Sequence, residues 1–372
     1  MASRPRPLDA ALLDVLTSPR EAGTPAAAAA REVVAARLRA MGYRVEVHPF
    51  RFHPSALRAL PLLGAGLGWM GLVLLPLLVS PRVSAWAALA AWLVGAAALA
   101  ALVFGVGSGA SPLAQGGGVR EDANLLAARS SAVRCWIVAH LDTKAQGHSM
   151  AGRLVAVWLV IVAVFGLTGL ALARLAGPLP VAAAAAGAAL AVGAGALAGR
   201  GRLVGQSPGV RDNGSGVAAA LAAAAASDNP AVGIVITGAE EFGLMGARAL
   251  VRERAELFAG RTVVNIDTID ETGALRVVSH DRPGRLAAQT YAARLGGLDL
   301  PVTVRRLPIG ILVDSLPFAR AGATAVTIAR LDWSTLRRLH TARDSTEGCS
   351  FETAVRVGEA VVALIDVSDF DR

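Results

Sequence analysis

The sequence of 372 residues combines a net charge of +8 with an apolar composition, since 54% of its residues are hydrophobic and 17% are charged. Globular domains usually contain about 25% charged residues, so the apolar excess must be concentrated in particular segments. Aromatic residues make up only 5% and are not interleaved with a basic cluster, which argues against nucleic-acid binding. Two cysteines are too few for a disulfide framework or a cysteine-based zinc site. The positive charge, nearly all of it arginine, fits attraction to anionic lipid headgroups instead.

The first 16 residues have neither a continuous apolar core nor a small-residue cleavage site, so we expect no secretory signal peptide. Apolar residues then recur with helical spacing over residues 26–41, opposite a polar face of arginines and Glu32. Gly42 ends this predicted helix, and residues 43–52 alternate as in a β-strand.

Four long apolar stretches come in two pairs, at residues 57–79 with 84–106 and at 154–175 with 179–197. Each is close to the ~20 apolar residues that span a bilayer. Their glycine and alanine content favours close helix contact in lipid, and a short turn joins each pair. Buried core helices are the alternative, but four such stretches in two hairpins favour four transmembrane helices in two hairpins.

The rest of the chain alternates between strand and helix patterns. The predicted strands are 134–139, 232–237, 261–266, 275–279 and 324–328, and the predicted helices are 217–226, 244–257, 286–295 and 351–367. This alternation predicts an α/β domain with a mostly parallel sheet sandwiched by helices.

The two hairpins interrupt this α/β domain and do not flank it. We assign residues 1–56, 109–150 and 201–372 to the domain, and residues 57–108 and 151–200 to the first and second hairpin. Because a hairpin starts and ends on the same side of a membrane, all three pieces of the domain can assemble together.

Five short polar motifs follow predicted strands or lie in loops, where open α/β sheets place their sites. They are His140-Leu141-Asp142, Asp212-Asn213-Gly214-Ser215-Gly216, Gly238-Ala239-Glu240-Glu241, Asn265-Ile266-Asp267 and His340-Thr341-Ala342-Arg343-Asp344. Each alone has an ordinary explanation, such as a turn, a hydrogen-bonded histidine or carboxylates at a helix start. Together, two histidines and several carboxylates form a ligand set for paired zinc ions.

In this order the motifs resemble those of the M28 family of zinc aminopeptidases, which are His-x-Asp, Asp-Asn-x-Ser-Gly, Glu-Glu-x-Gly, Asn-x-Asp and His-Thr-x-x-Asp. Residues 19–24 and 41–46 also resemble the family. The resemblance covers the chain outside the two hairpins. It implies a zinc-exopeptidase-like fold, a peptide substrate and hydrolysis of the peptide bond next to the N-terminus.

The resemblance also implies five ligands for two zinc ions, which are His140 and Asp267 for one ion, Glu241 and His340 for the other, and Asp212 bridging both. One carboxylate has two oxygens and can bridge ions about 3.5–4 Å apart. Glu240 would be the general base, moving a proton from the zinc-activated water to the leaving amine. Asp142 would orient the imidazole of His140, with a similar supporting part for Asp344.

One departure from the family pattern is Ser315, which stands where the family usually has a histidine before the Pro317-Phe318 pair. It leaves the details of substrate binding open. Two alternatives also remain open: a glutaminyl-cyclase-like acyltransferase with one zinc, for which Lys144 is a feature to follow, and a catalytically silent membrane scaffold. The histidines outside the motifs, at positions 48, 53, 148 and 280, are interpreted as surface or packing residues.

The distribution of charge predicts which side of the membrane the domain occupies. The hairpin tips have Arg82 and Arg174. The opposite ends of the same helices have more positive residues, at Arg51, Arg58, Lys144, Arg153, Arg200 and Arg202. The positive-inside rule then predicts a multi-pass protein of the bacterial inner membrane with a cytoplasmic catalytic domain.

Overall fold

The computed structural model describes residues 8–54, 56–107 and 118–367. They divide into two compact units. The first consists of the described parts of Met1–Phe52, Arg120–Ala145 and Gly205–Arg372, and the second of those of His53–Val119 and Gln146–Val204. The first seven residues and the predicted boundary between residues 108 and 109 lie outside the described parts of the chain.

An eight-stranded sheet forms the centre of the first unit. Its strands are β1 (Arg44–Phe52), β2 (Arg120–Ala128), β3 (Cys135–His140), β4 (Val232–Thr237), β5 (Thr262–Ile269), β6 (Ala274–Ser279), β7 (Val302–Arg306) and β8 (Thr324–Leu331). The spatial order is β1-β2-β4-β3-β5-β8-β6-β7. Strands β3–β4, β3–β5, β5–β8 and β6–β7 pair parallel, whereas β1–β2, β2–β4 and β6–β8 pair antiparallel. The sheet is therefore mixed, with a parallel centre.

The α-helices, in chain order, are α1 (Ala10–Leu16), α2 (Pro25–Ala40), α3 (Ala56–Val79), α4 (Ala85–Gly107), α5 (Met150–Ala176), α6 (Val181–Gly199), α7 (Gly216–Ala226), α8 (Met245–Arg254), α9 (Arg282–Leu295), α10 (Ser315–Arg320), α11 (Trp333–Leu336) and α12 (Glu352–Val367). Helices α3 to α6 belong to the second unit and the others to the first.

The central strands of the sheet position the polar motifs. Every residue of β3 and of β4 is buried, as expected for strands covered on both faces. Since β3, β4 and β5 run parallel, their carboxyl ends meet at one edge of the sheet. The side chains that follow these strands therefore converge.

Helix α7 fixes the loop that precedes it. Eight of its eleven residues are alanine, and its first nine residues are buried. Gly358 of α12 lies so close that a β-carbon there would come within 2.0 Å of the Ala219 carbonyl oxygen. Only glycine permits this approach of the two helices, which holds the N-terminus of α7 beside the sheet edge.

The second unit contains four helices that are long and apolar enough to cross a membrane, at Leu57–Val79, Ala85–Val106, Met150–Ala176 and Val181–Gly199. Small residues allow α3 and α6 to approach closely, because a β-carbon on Gly195 would lie 2.2 Å from the Gly64 carbonyl oxygen. The indole N–H of Trp92 donates to the Thr168 hydroxyl at 2.9 Å.

Candidate metal centre

The polar motifs are all in the first unit, and their ligand-type side chains are buried. His140 is the last residue of β3, and Asp267 lies near the end of β5. Asp212 is in the tight turn Val210–Ser215 directly before α7. Glu241 follows β4, and His340 lies in the loop after α11. Parallel pairing and the α7 packing thus bring together residues that are up to 200 positions apart.

The first group of potential ligands consists of His140, Asp212 and Asp267. The Nε2 atom of His140 lies 3.1 Å from Oδ1 of Asp212 and 3.8 Å from Oδ1 of Asp267. One ligand atom from each residue lies within 4.8 Å of the other two. These distances leave room for one small cation between the three atoms.

The second group consists of Asp212, Glu241 and His340. The Nε2 atom of His340 lies 3.3 Å from Oδ2 of Asp212 and 3.3 Å from Oε2 of Glu241. Asp212 is common to both groups, and it presents Oδ1 to one histidine and Oδ2 to the other. The site therefore has the connectivity of a carboxylate-bridged pair of metal positions.

The donor atoms themselves fit a metal ion. Both ring nitrogens of His340 and the Oε1 atom of Glu241 are buried and make no hydrogen bond within the described residues. Buried polar atoms are rarely left without partners, and each one costs free energy. Imidazole nitrogens and carboxylate oxygens are zinc ligands, so a zinc ion bound to Nε2 of His340 and to Oε1 of Glu241 would satisfy two of these three atoms.

The electrostatics of the site couple its charged groups. Burial opposes the charged form of His140, but the carboxylates of Glu240, Asp142 and Asp212 outweigh burial and raise the pKa of His140 well above its usual value. Burial would raise the pKa of Asp212, but His140 and His340 lower it below the ordinary range. For Glu240, burial and the charge of Glu241 raise the pKa well above its usual value.

Asp142 holds the Glu240–Glu241 turn by its side chain. Its carboxylate accepts the backbone N–H of Glu240 at 3.0 Å and that of Glu241 at 3.2 Å. The Nδ1 atom of His140 lies 3.2 Å from the backbone oxygen of Asp142 and 3.7 Å from its carboxylate Oδ1. The carboxylate therefore acts on the glutamates more directly than on the imidazole.

The loop before α7 is fastened to the end of β5 by two side chains that sequence reasoning did not assign. Asn213 donates from Nδ2 to the Ile266 carbonyl oxygen at 3.0 Å and accepts the Thr268 backbone N–H at 3.0 Å. Ser215 accepts the Ile269 backbone N–H at 2.8 Å. These contacts link the loop of Asp212 to the strand of Asp267.

Asp344 supports Asp212 through the backbone. Its carboxylate accepts the backbone N–H groups of Arg211 at 2.8 Å and Asp212 at 3.1 Å. Burial raises the pKa of Asp344 to about 6. The fully buried Arg211 donates to Asp270 at 2.9 Å and to the Ser345 carbonyl oxygen at 2.7 Å. Sequence reasoning missed Arg211 because its partners are far away in the chain.

Ser315, the departure from the family pattern, lies in a buried hydrogen-bond network. Its hydroxyl is 2.6 Å from the Thr327 hydroxyl and 2.7 Å from Nε2 of His280. The preceding Asp314 accepts a hydrogen bond from the Thr237 hydroxyl, and burial raises the pKa of Asp314 to about 7. His280 therefore has a specific partner next to this segment.

His48, also interpreted from sequence as a surface or packing residue, is buried and lies 2.9 Å from Glu253 Oε2. His53 and His148 belong to the second unit.

Comparisons with known proteins bear on the family and the fold. Residues 199–365 match the family model of peptidase family M28, the family that the motifs resemble. The first motif, His140 to Asp142, precedes the matched residues and reaches the site through β3. No curated protein matches the chain by sequence.

Solved structures show the same fold at low sequence identity. An aminopeptidase from Aneurinibacillus sp. strain AM-1 is 14% identical with a TM-score of 0.55, covering 95% of this chain and 91% of its own. A zinc aminopeptidase from Bacillus subtilis is 15% identical with a TM-score of 0.53, covering 95% and 93%. A glutaminyl cyclase from Fimbriiglobus ruber is 14% identical with a TM-score of 0.53, covering 95% and 92%.

Proposed function

We propose that this chain is a membrane-anchored zinc aminopeptidase with a two-metal site. The observation that supports this most strongly is the pair of buried ligand groups that share Asp212. In this proposal the ligands are His140, Asp212 and Asp267 for one zinc, and Asp212, Glu241 and His340 for the other. The match of residues 199–365 to an M28 peptidase supports the reaction class.

Zinc bound at these positions would polarise the scissile carbonyl and make a water nucleophilic near neutral pH. The protein supplies the proton transfer. Glu240 is next to the ligand Glu241, and the Asp142 carboxylate holds the backbone of both glutamates. From there Glu240 accepts a proton from the attacking water and delivers it to the leaving amine.

The membrane part of the proposal is supported by the four long apolar helices of the second unit. A helical hairpin starts and ends on the same side of a bilayer, so in this proposal the three pieces of the peptidase domain share one side. Positive residues are more numerous at the helix ends opposite the hairpin tips. This excess favours a catalytic domain on the cytoplasmic side of a bacterial inner membrane. Peptides that reach the inner face of the membrane would be the substrates.

A glutaminyl-cyclase activity is the second candidate function. The TM-scores to the zinc aminopeptidase from Bacillus subtilis and to the glutaminyl cyclase from Fimbriiglobus ruber are both 0.53, so the fold does not separate the two reactions. Both would use a Glu general acid–base and a zinc site. They differ in the nucleophile, which is water for the peptidase and the substrate's own amine for the cyclase.

The experiment that tests the proposal separates the two reactions by product mass. Full-length protein purified in detergent with zinc is incubated with peptides that start with Leu, Ala, Arg or Gln. Release of the first residue, with the mass of one water added across the cleaved bond, supports the aminopeptidase. Loss of ammonia from the Gln peptide alone, with no cleavage of any peptide, would overturn it in favour of the cyclase. Neither product, with zinc bound, would favour a silent scaffold.

A further inference from the structure

Lys144 is the single lysine in a chain whose other basic residues, outside histidine, are all arginine. The sequence contains 36 Lys and Arg residues, and 35 of them are Arg. Lys144 lies four residues after His140, and it is buried with 4% of its surface exposed. In a chain that otherwise uses arginine, a buried lysine beside a proposed metal ligand indicates that this position favours lysine over arginine.

The ammonium of Lys144 contacts a proposed zinc ligand directly. Its Nζ atom lies 2.6 Å from Oε2 of Glu241 and 3.3 Å from the Glu241 backbone oxygen. The same Oε2 atom lies 3.3 Å from Nε2 of His340. The ammonium of Lys144 therefore contacts the Glu241 oxygen that faces His340. The other carboxylate oxygen of Glu241, Oε1, has no hydrogen-bond partner among the described residues.

The charge of Lys144 acts on one of the two metal positions. Its ammonium contacts the carboxylate of Glu241, and Glu241 belongs to the second group of ligands and not to the first. In a buried site of low effective dielectric, charges interact strongly. The ammonium therefore repels a cation that Glu241 holds.

We propose that Lys144 is a positioning and charge-balancing residue that stands in for the second zinc at Glu241 and makes that position the weaker one. The proposal rests on the proposed zinc site. It assigns tight binding to the group of His140, Asp212 and Asp267, and weaker, concentration-dependent binding to the group of Asp212, Glu241 and His340.

The chemical difference between lysine and arginine explains the residue type. An ammonium is a compact charge that occupies one carboxylate oxygen, whereas a guanidinium forms a planar fork that pairs with both oxygens at once. An arginine here would engage both oxygens of Glu241 and leave none for a metal. Lysine leaves Oε1 unpaired and the remaining lone pair of Oε2 accessible.

The test measures zinc binding to the metal-stripped, full-length protein in detergent, by competition with a chromophoric chelator. The wild type is expected to bind one zinc tightly and a second more weakly. Lys144→Met, which removes the charge and keeps the length, is expected to tighten the second binding step roughly tenfold to a hundredfold, the range of effects known for residues that contact metal ligands. The first step should change little. Lys144→Arg is expected to weaken or abolish the second step.

The outcomes separate this proposal from the proposed function. An unchanged second step in Lys144→Met, or equal changes in both steps, overturns the role of Lys144 while leaving the zinc site intact. Absence of zinc binding in the wild type overturns the zinc site itself. In a Glu241→Gln background, Lys144→Met should have no effect on the remaining step, and a tenfold change there would also contradict the proposal.

A measurement on the unmutated protein covers the case in which the variants do not fold. Lysine-selective ¹⁵N labelling gives one side-chain signal, because Lys144 is the only lysine. This signal should stay in place during addition of the first zinc equivalent and shift during the second. A shift that is complete at the first equivalent contradicts the assignment.

Discussion

The carboxylate of Asp142 accepts the backbone N–H of Glu240 at 3.0 Å across a separation of 98 residues. The same carboxylate accepts the N–H of the neighbouring Glu241 at 3.2 Å. One side chain from the end of β3 therefore sets the position of both the proposed base and a proposed zinc ligand. Asp142 acts mainly by fixing the glutamate turn, with less direct influence on the imidazole of His140.

The first prediction follows from this contact. Asp142→Asn keeps the size of the side chain but presents an NH₂ group, a donor, to one of the two backbone N–H groups. We expect kcat to fall about tenfold to a hundredfold, because the Glu240–Glu241 turn shifts. The measurement is steady-state hydrolysis of the best peptide from the substrate panel. The exposed Asp299 provides the matched control, and an Asp142→Asn enzyme as active as Asp299→Asn would contradict the role.

A second prediction concerns the buried Arg211. Arg211→Met leaves the carboxylate of Asp270, 2.9 Å from the guanidinium, without its ion pair inside the protein. Breaking a buried pair in this way costs about 3–5 kcal/mol. We expect a corresponding loss in the free energy of unfolding of the first unit, measured by denaturant titration in detergent. Arg337→Met is the control at an exposed arginine, and equal stability of the two variants would contradict the prediction.

A third prediction compares two glycines of helix α6. A β-carbon on Gly195 would lie 2.2 Å from the Gly64 carbonyl oxygen, whereas a β-carbon on Gly193 would have no atom within 4 Å. Overpacking a close contact costs about 1–3 kcal/mol or more. Gly195→Val should therefore lower the thermal stability of the detergent-solubilised protein clearly more than Gly193→Val. The same shift for both would mean that α3 and α6 are not in close contact.

A fourth prediction gives the pH dependence of the metal-free protein. Burial raises the pKa of Asp314 to about 7 and of Asp344 to about 6. The neutral forms of both carboxyl groups stabilise the folded protein. Their contribution to the free energy of unfolding is fully present below the unfolded pKa of about 4, and it is lost as the pH rises through the pKa values of the folded state. The raised pKa of His140 acts in the same direction at higher pH. Stability should therefore decrease from pH 5 to pH 8.

Zinc should reverse this trend, since its ligands bind in their deprotonated forms. The increase in unfolding temperature on adding zinc should be larger at pH 8 than at pH 5.5. Thermal unfolding with chelator and with zinc across this range checks both parts. A metal-free protein that becomes steadily more stable from pH 5 to pH 8 would contradict the description of the buried carboxyls.

Much of the fold is predictable from the sequence because the central strands are buried on both faces. Strand β4, predicted at residues 232–237, has the same bounds in the structure. Strand β2 was missed, since it begins with Arg120-Glu121-Asp122 and pairs antiparallel at the side of the sheet. The short β7, which is only partly buried at the edge of the sheet, was also missed. Strand direction depends on pairing partners distant in sequence, so the mixed character of the sheet was not predictable.

The candidate site is likewise predictable from the sequence only in part. The ligand-type residues stand out as polar motifs that follow apolar strands. The supporting contacts join positions far apart, such as Lys144 with Glu241 or Arg211 with Asp270, and nothing in local spacing indicates them. The start of α9 at Arg282 did have a local signal, because Asp281 caps the helix by accepting the Gly284 N–H at 2.7 Å and a proline follows.

The most direct test of the proposed peptidase is Glu240→Gln in the full-length, zinc-loaded protein. The amide keeps the shape of the side chain but cannot accept the proton of the attacking water. Hydrolysis of the best peptide should fall by about 10² to 10⁴ in kcat, with the zinc content by elemental analysis unchanged from the wild type. Hydrolysis at the wild-type rate, with the same zinc content, would contradict the role of Glu240 and with it the proposed mechanism.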